Sequence, residues 1–328
     1  MSVTSWPFRA LRSRSSKGRN SSGGAQPDPQ LSPSTSPDRM HDEDMDAHGT
    51  TGHRSKSKRE SVDDNTLDKT KFPHIRQRHD WDCGLTCCQM CLKWVNKPQP
   101  FDAITKRCPT KSTWSIDLAY LLHGYGFAVK YFTVTWGADE SYKSIDYYKD
   151  HLDSDASRVN ELFKAAHARG LYVEMRTVAM HDVIATLQRD NCVVVILVDT
   201  QVFEQGCAKA WNSVREKRNE KKASQQQQES GSSESLPVER MPHSLPSVAP
   251  DKGFVGHYVV LVRFFEGEQH FEVCDPGVKA DRRVIDRESL EMARKTHGTD
   301  EDILVVDVSP LILARGSQDE AELSGAMG

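Results

Sequence analysis

The sequence lacks the features that would tie it to a membrane or to nucleic acid. No apolar run approaches the roughly 20 residues of a membrane span, and no apolar signal-peptide core follows Met1. Its 43 basic and 47 acidic residues nearly cancel to a net charge of -4. This balance gives no reason to expect attraction to nucleic acid or to a membrane surface. We therefore expect neither as a partner, and we expect the eight cysteines to be reduced thiols in the cytoplasm.

The first 27 residues allow a second interpretation of the location. They contain five basic residues and many serines, and no acidic residue precedes Asp28. Such a composition is typical of an organelle transit peptide, but also of a disordered Ser/Arg-rich tail. We favour the tail, because an apolar helical face does not continue beyond Leu11. Organelle import through residues 1–27 stays as the alternative to a cytoplasmic location.

Composition also divides the chain into ordered and disordered parts. Only 37% of the residues are apolar, and the mean hydropathy is -0.62, so part of the chain cannot belong to a core. Residues 1–70 have few aliphatic side chains and are predicted to be a disordered extension. One domain is predicted over 71–313, with a disordered, low-complexity insertion at 209–252 and a disordered tail at 314–328.

Apolar periodicity predicts a mixture of helices and strands within this domain. The run CVVVILVD at 192–199 is apolar on both faces, which is typical of a central strand. The runs GHYVVLVRFFEG and HFEVCDPG predict a hairpin. Helices are predicted from Cys83 to Val95 with Asp80 or Asp82 as N-cap, over 116–123 with Ser115 as N-cap, and from the N-cap Ser157 up to Gly170. Two more helices are predicted over 180–189 and 289–297. Further strands are predicted at 127–135, 171–175 and 303–308. This order predicts an α+β fold, with the N-terminal helix packed on a mostly antiparallel sheet.

The placement of Cys83 at a predicted helix start indicates a chemical role. Unpaired backbone amides and the positive end of the helix dipole favour a thiolate there, and a thiolate attacks carbonyl carbons. Gln77, six residues earlier, could donate its side-chain amide to the oxyanion that forms, beside the N–H of Cys83. The alternative is that Cys83 is a small apolar helix residue.

His257 and Asp275 are the candidates for the remaining roles. His257 begins one strand of the predicted hairpin and Asp275 ends the other, so the two side chains should be neighbours. A carboxylate at Asp275 would fix the imidazole tautomer, and His257 would act as general base and acid for Cys83. Taken singly, His257 is equally explained as a strand-end histidine and Asp275 as a turn residue in Asp-Pro-Gly.

Several separate motifs in one order resemble a known family. They are HIRQRHDWDCGLTC, STWSIDLAYLL, RVNELFKAA, GHYVVLVRF with the DPG that follows, and ESLEMARKTHGTDEDI. Together they resemble the guanylyl cyclase domain-containing protein family, which includes plant guanylyl cyclases. The resemblance implies a papain-like fold similar to the bacteriocin-processing cysteine peptidases, whose Gln, Cys, His and Asp match Gln77, Cys83, His257 and Asp275. This sequence departs from the family pattern at Thr86, Cys88 and Cys91 and in the insertion.

The family name and the residues point to different reactions. The name implies formation of cyclic GMP from GTP, with Mg²⁺ or Mn²⁺ held by carboxylates. The sequence has no GxxxxGK[ST] phosphate loop, and Asp300, Glu301 and Asp302 are more typical of a solvated helix cap than of a metal site. We therefore predict a thiol hydrolase that acts on an amide or acyl bond of a peptide or protein substrate and needs no cofactor.

Three alternatives remain open from the sequence. The first is the guanylyl cyclase, with GTP and a divalent metal. The second is a metal-binding module built from Cys83, Cys87, Cys88 and Cys91, although a zinc site normally draws its ligands from two separated pairs. The third is a catalytically silent adaptor with the same fold. The sequence predicts no oligomeric state.

Overall fold

The computed structural model describes residues 67–108, 110–149, 151–228 and 253–314. The α-helices are α1 (Cys83–Trp94), α2 (Phe101–Arg107), α3 (Ser115–Gly124), α4 (Asp146–Lys149), α5 (Leu152–Ala165), α6 (Met180–Leu187), α7 (Thr200–Gln228) and α8 (Arg287–Arg294). The strands are β1 (Ala128–Thr133), β2 (Tyr172–Met175), β3 (Cys192–Asp199), β4 (Gly256–Phe265), β5 (His270–Cys274), β6 (Arg283–Asp286) and β7 (Ile303–Asp307).

The strands form one seven-stranded sheet in the order β2-β1-β7-β3-β4-β5-β6. β1 and β2 pair in parallel, and the other neighbours pair antiparallel. All eight residues of β3 are buried, as expected for the middle strand of a sheet covered on both faces. The predicted α+β fold with a mostly antiparallel sheet is confirmed.

Side chains of β3 alternate between two apolar cores. Val193, Val195 and Leu197 face the core that contains the buried residues of α1, α3 and α5. Val194, Ile196 and Val198 face the core that contains those of α6, α7 and α8. This period of two follows from the strand geometry and sandwiches the sheet between two helical layers.

Helix α1 packs directly against β4 at its first turn. A Cβ atom built at Gly84 would lie 2.7 Å from Leu118 Cδ1 and 3.0 Å from Tyr258 Cδ2. The Cys87 thiol donates to the backbone oxygen of Tyr258 at 3.4 Å. The start of α1 can approach the strand so closely because residue 84 has no side chain.

The predicted disordered insertion at 209–252 is corrected in its first part. Helix α7 continues to Gln228, because Cys207 and Ala210 are buried along its length and its later residues are mostly good helix formers. Residues 211–220 are exposed or half-buried, so this part of the helix has little contact with the core. Residues 229–252 of the predicted insertion lie outside the described residues.

The starts of two other helices also differ from the prediction. Ser157 is not an N-cap, since α5 begins five residues earlier at Leu152 and buries that side chain. Ser289 lies inside α8, and its backbone N–H donates to the capping carboxylate of Asp286 at 2.9 Å. Strand β6, immediately before that cap, was not predicted.

The domain begins slightly earlier than residue 71. Lys69 is 9% exposed, and its ammonium donates to the backbone oxygen of Leu187 at 2.6 Å. Residues 67–70, predicted as part of the extension, therefore contact the domain. The rest of the predicted extension, residues 1–66, and residues 315–328 of the predicted tail lie outside the described residues. Within the described ranges, no helix is both long and apolar enough to cross a membrane.

Gly206 of α7 lies close to Ser289 of α8, and this contact gives a stability prediction. An added Cβ would lie 2.5 Å from Ser289 Cβ. We expect Gly206→Ala to lower the free energy of unfolding by about 1–3 kcal/mol, measured by urea denaturation, because overpacking outweighs the gain in helix propensity. Gly124→Ala in α3 is the matched control, since its added Cβ would meet no atom within 4 Å. Equal stability of the two variants would contradict this account of the contact.

Candidate active site

Cys83 is the first residue of α1, and Asp82 occupies the N-cap position. The Asp82 carboxylate does not cap the helix as expected, but accepts from the backbone N–H groups of Arg78 and His79, each at 3.2 Å. The first helical hydrogen bond runs from Thr86 N–H to Asp82 O. The backbone N–H groups of the first turn before Thr86 have no intrahelical acceptor, so they can donate to a negatively charged group near the sulfur.

The sulfur lies at the wall of a cavity. Cys83 is only 5% exposed, but it lines a cavity of about 350 Å³. The other cavity walls are largely aromatic and acidic: Trp81, Trp114, Tyr147, Tyr148, Tyr258, Asp80, Asp300 and Asp302. A small group entering this cavity can therefore reach the thiol.

The β4–β5 hairpin brings His257 and Asp275 together. His257 is the second residue of β4, and Asp275 directly follows β5. The Nε2 atom of His257 donates to Asp275 Oδ1 at 2.7 Å, and Asp275 is 1% exposed. This bond leaves Nδ1 as the free ring nitrogen, and the imidazole also interacts with the Cys83 thiol.

Hydrogen bonds set the protonation states of His257 and Asp275. Burial disfavours the imidazolium, but the bonds to Asp275 and Cys83 outweigh it and raise the pKa of His257 to about 10. Burial also opposes ionisation of Asp275, yet the bond from His257 and the charge of Arg283 lower the pKa of that carboxyl to about 2. At neutral pH the pair is thus an imidazolium and a carboxylate. An adjacent cation at a helix N-terminus is the setting that stabilises a thiolate.

Gln77 reaches the site through its backbone. Its N–H donates to Pro276 O at 2.9 Å, and His74 Nε2 lies 2.9 Å from Asp275 O. The segment before α1 is therefore fastened to the turn that carries Asp275. The Gln77 side chain donates to His79 O at 2.7 Å, and its buried Oε1 atom has no hydrogen-bond partner among the described residues. Its predicted role as oxyanion donor stays a prediction.

Two charged residues of the site were missed by the sequence analysis. Arg283, the first residue of β6, donates through Nη1 to Asp275 Oδ2 at 2.5 Å. The same guanidinium makes a two-pronged bond to Glu204 of α7, at 2.6 and 2.8 Å. Nothing in the run DRRVID distinguishes Arg283 from Arg282 next to it, so no local signal could have identified this contact.

The acidic run near the C-terminal strand is not the solvated cap that was expected. Asp300 is 7% and Asp302 6% exposed, and both line the cavity. Tyr131 donates to Asp302 at 3.0 Å, and Tyr142 donates to Asp300 at 2.5 Å. Burial raises the pKa of both carboxyls. Glu301 pairs with the fully buried Arg294 instead.

The cysteine cluster behaves as core rather than as a metal site. Cys87, Cys88 and Cys91 are fully buried in the core that contains α1, and burial raises their thiol pKa values, to about 12 for Cys91. In the part of the chain that the structure describes, no three His, Cys, Asp or Glu residues are grouped to hold a metal ion. The metal-module interpretation is not supported.

A cysteine-bearing helix that packs on a mostly antiparallel sheet, with His257 on β4 and Asp275 directly after β5, defines an α+β protein. Comparison with known proteins then assigns the family. The guanylylate cyclase family model matches residues 72–306, and the chain belongs to that family. Guanylyl cyclase 1 of Arabidopsis thaliana is 31% identical over 237 residues, which cover 72% of this chain and 75% of that protein. This confirms the family suggested by the sequence motifs.

Among solved structures, one described as a C39-like peptidase from Bacillus anthracis is similar. It is 10% identical, has a TM-score of 0.38, and the match covers 74% of this chain and 96% of that one. At that score the likeness does not bear on chemistry.

The raised pKa of His257 predicts an imidazolium that persists at neutral pH. We expect the His257 ring to titrate near pH 10 in ¹H–¹⁵N correlation spectra, assigned by comparison with His257→Gln. Asp275→Asn should bring the titration to neutral pH or below, because burial then acts without the carboxylate.

Since the folded pKa of His257 exceeds the ordinary 6.5, the stability that the pair adds is complete below pH 6.5 and disappears as the pH rises through about 10. Titration of the wild-type ring at 6.5 would contradict the ion pair.

Proposed function

We propose that this protein is a thiol-dependent hydrolase that cleaves an amide or related acyl bond. The observation that carries the proposal is the imidazole of His257, which interacts with the sulfur of Cys83 on one side and with the ionised Asp275 on the other. The cavity that Cys83 lines supplies room for the reacting group. A sulfur at a helix start, a base and a group that orients the base are the parts that nucleophilic catalysis needs.

The geometry supports a two-stage reaction. The Cys83 thiolate attacks the carbonyl carbon, and the first amides of α1 stabilise the resulting oxyanion, together with Gln77 if its side chain turns toward it. The His257 imidazolium donates its proton to the leaving amine, which departs and leaves a thioester on Cys83. The neutral imidazole then takes a proton from water, which attacks the thioester and releases the acid. Asp275 keeps the ring oriented through both stages.

The cavity walls support a proposal for the substrate class. Its aromatic walls, which include Tyr147, Tyr148 and Trp114, offer apolar surface and ring faces to a side chain near the cleaved bond. Such walls suit a peptide or protein segment, and we propose a substrate of that class. The hydrolytic scheme needs no metal or organic cofactor.

The second candidate is a guanylyl cyclase, favoured by the name of the Arabidopsis relative. That reaction needs divalent metal ions held by carboxylates at the triphosphate. Asp300 and Asp302 are the cavity carboxyls that could hold Mg²⁺ or Mn²⁺. Both already accept hydrogen bonds from tyrosine hydroxyls, and burial raises the pKa of both carboxyls, so their transfer to a metal ion would cost these bonds as well as the burial of charge. These residues fit the metal poorly, so we rank the hydrolase first.

The hydrolase proposal predicts selective alkylation of Cys83. With iodoacetamide at pH 7, Cys83 should react fastest of the eight cysteines, as read by peptide mass spectrometry, because it lines the cavity beside an imidazolium. We expect His257→Ala to slow its labelling at least tenfold. His181→Ala on the surface of α6 is the matched control and should leave the rate unchanged. Similar rates at all thiols, or no effect of His257→Ala, would count against an activated nucleophile and favour a silent adaptor.

A GTP assay separates the two enzymatic candidates. We expect the purified protein to form no cyclic GMP from GTP with either Mg²⁺ or Mn²⁺, because Asp300 and Asp302 are already hydrogen-bonded to tyrosine hydroxyls. The assay should include Cys83→Ala alongside the wild type. Cyclic GMP formation that persists in Cys83→Ala would remove the thiol from the mechanism and establish the cyclase instead.

A further inference from the structure

Asp275 is held by donors on both of its carboxylate oxygens. Oδ1 accepts from His257 Nε2 at 2.7 Å and from the backbone N–H of Gly277 at 2.8 Å. Oδ2 accepts from Arg283 Nη1 at 2.5 Å. Without the guanidinium, one oxygen of a buried carboxylate would lose its charged donor, and the carboxylate could rotate about its Cβ–Cγ bond.

Arg283 is in turn fixed by contacts that leave it little freedom. Its Nη1 and Nη2 atoms bond the two oxygens of Glu204, and its guanidinium carbon lies 5.2 Å from the centre of the Phe203 ring. Two-pronged pairing of arginine with a carboxylate fixes orientation as well as charge. The side chain of Arg283 is only 14% exposed, so solvent screens its charge weakly.

Charges along this row alternate in sign. From the sulfur outward they run through the imidazolium of His257, the carboxylate of Asp275, the guanidinium of Arg283 and the carboxylate of Glu204. Each charge stabilises its neighbour, and Glu204 balances Arg283, the second cation of the row. The row also joins separate elements, since β4, the turn after β5, β6 and α7 each contribute one member.

We propose that Arg283 and Glu204 are positioning residues for the Cys83 site, with Arg283 fixing the plane of the Asp275 carboxylate and Glu204 fixing Arg283. They act on His257 through Asp275 and do not touch the reacting atoms. The alkylation readout below rests on the proposed function, whereas the titration readout does not.

The matched pair of variants is Arg283→Gln and Arg263→Gln. Arg263 makes the same kind of two-pronged bond, to Glu272 on the same hairpin, at 2.6 and 3.0 Å, but its bonds do not involve Asp275. We expect Arg283→Gln to slow Cys83 alkylation at pH 7 by at least roughly tenfold, the effect of one charge-assisted hydrogen bond. Arg263→Gln should stay within about twofold of wild type, and Arg283→Lys should recover part of the rate, since it keeps the charge but not the fork.

The second readout is the titration of the Asp275 carboxyl, which would not change if Arg283 had a purely structural role. The ¹³C signal of the Asp275 carboxyl should titrate near pH 2 in the wild type and at higher pH in Arg283→Gln, with no change in Arg263→Gln. Equal effects of the two arginine variants on rate and titration would overturn the proposal. If Arg283→Gln does not fold, Glu204→Gln replaces it, and a wild-type alkylation rate there would overturn the role of Glu204.

The two proposals fail in different ways. Slow labelling of Cys83 in the wild type, with the Asp275 titration still shifted by Arg283→Gln, would remove the hydrolase and keep the positioning role. Fast labelling of Cys83 in the wild type, with the same rate in Arg283→Gln, would keep the hydrolase and remove the positioning role.

Discussion

The ionised carboxylate of Asp275, buried at the end of β5, is the constraint on which the site depends. A carboxylate at 1% exposure is costly unless donors replace its water, and here His257, the Gly277 amide and Arg283 do so. Those donors come from β4, from the turn itself and from β6. The hairpin register and the path of the returning strand must therefore both be correct for the carboxylate to be satisfied. Tolerance for error is small, because each missing donor leaves a buried charge partly unpaired.

Cys83, the proposed nucleophile, belongs to a segment remote in sequence from the hairpin, yet this segment is attached to the same turn. Gln77 N–H bonds Pro276 O, and His74 bonds Asp275 O, so the loop before α1 lies against the turn at two places. Gly84 then lets the first turn of α1 approach Tyr258 of β4, the residue after His257. Cys83 is thus located from both sides, by the loop that precedes it and by the strand beneath it. This double attachment explains how a sulfur and an imidazole separated by most of the domain interact.

The sequence was sufficient for the middle strand and for the hairpin, whose geometry follows from a local pattern. The apolar run of β3 identified the middle of the sheet, and the hairpin identified His257 and Asp275 as neighbours, because the start of its first strand lies beside the end of its second. It failed where a contact depends on tertiary packing. Arg283 begins a four-residue strand too short to show a period, and Glu204 looks like any charged helix residue. Asp300 can be buried because hydroxyl groups on other elements, including that of Tyr142, donate to its carboxyl. No spacing within the acidic run could indicate these donors.

The electrostatics of the cavity bear on the choice between the two reactions. Its ionisable lining, apart from Cys83 and the tyrosines, consists of Asp80, Asp300 and Asp302 against Lys111 and His151. A nucleoside triphosphate carries several negative charges, and among the side chains that line this cavity only Lys111 and His151 could offset them. A peptide carbonyl brings no charge into the cavity until the tetrahedral intermediate forms, and that charge develops beside the amides of α1 and the imidazolium of His257. A cavity with so few cations suits an uncharged group better than a chain of phosphates, which agrees with the proposed acyl substrate.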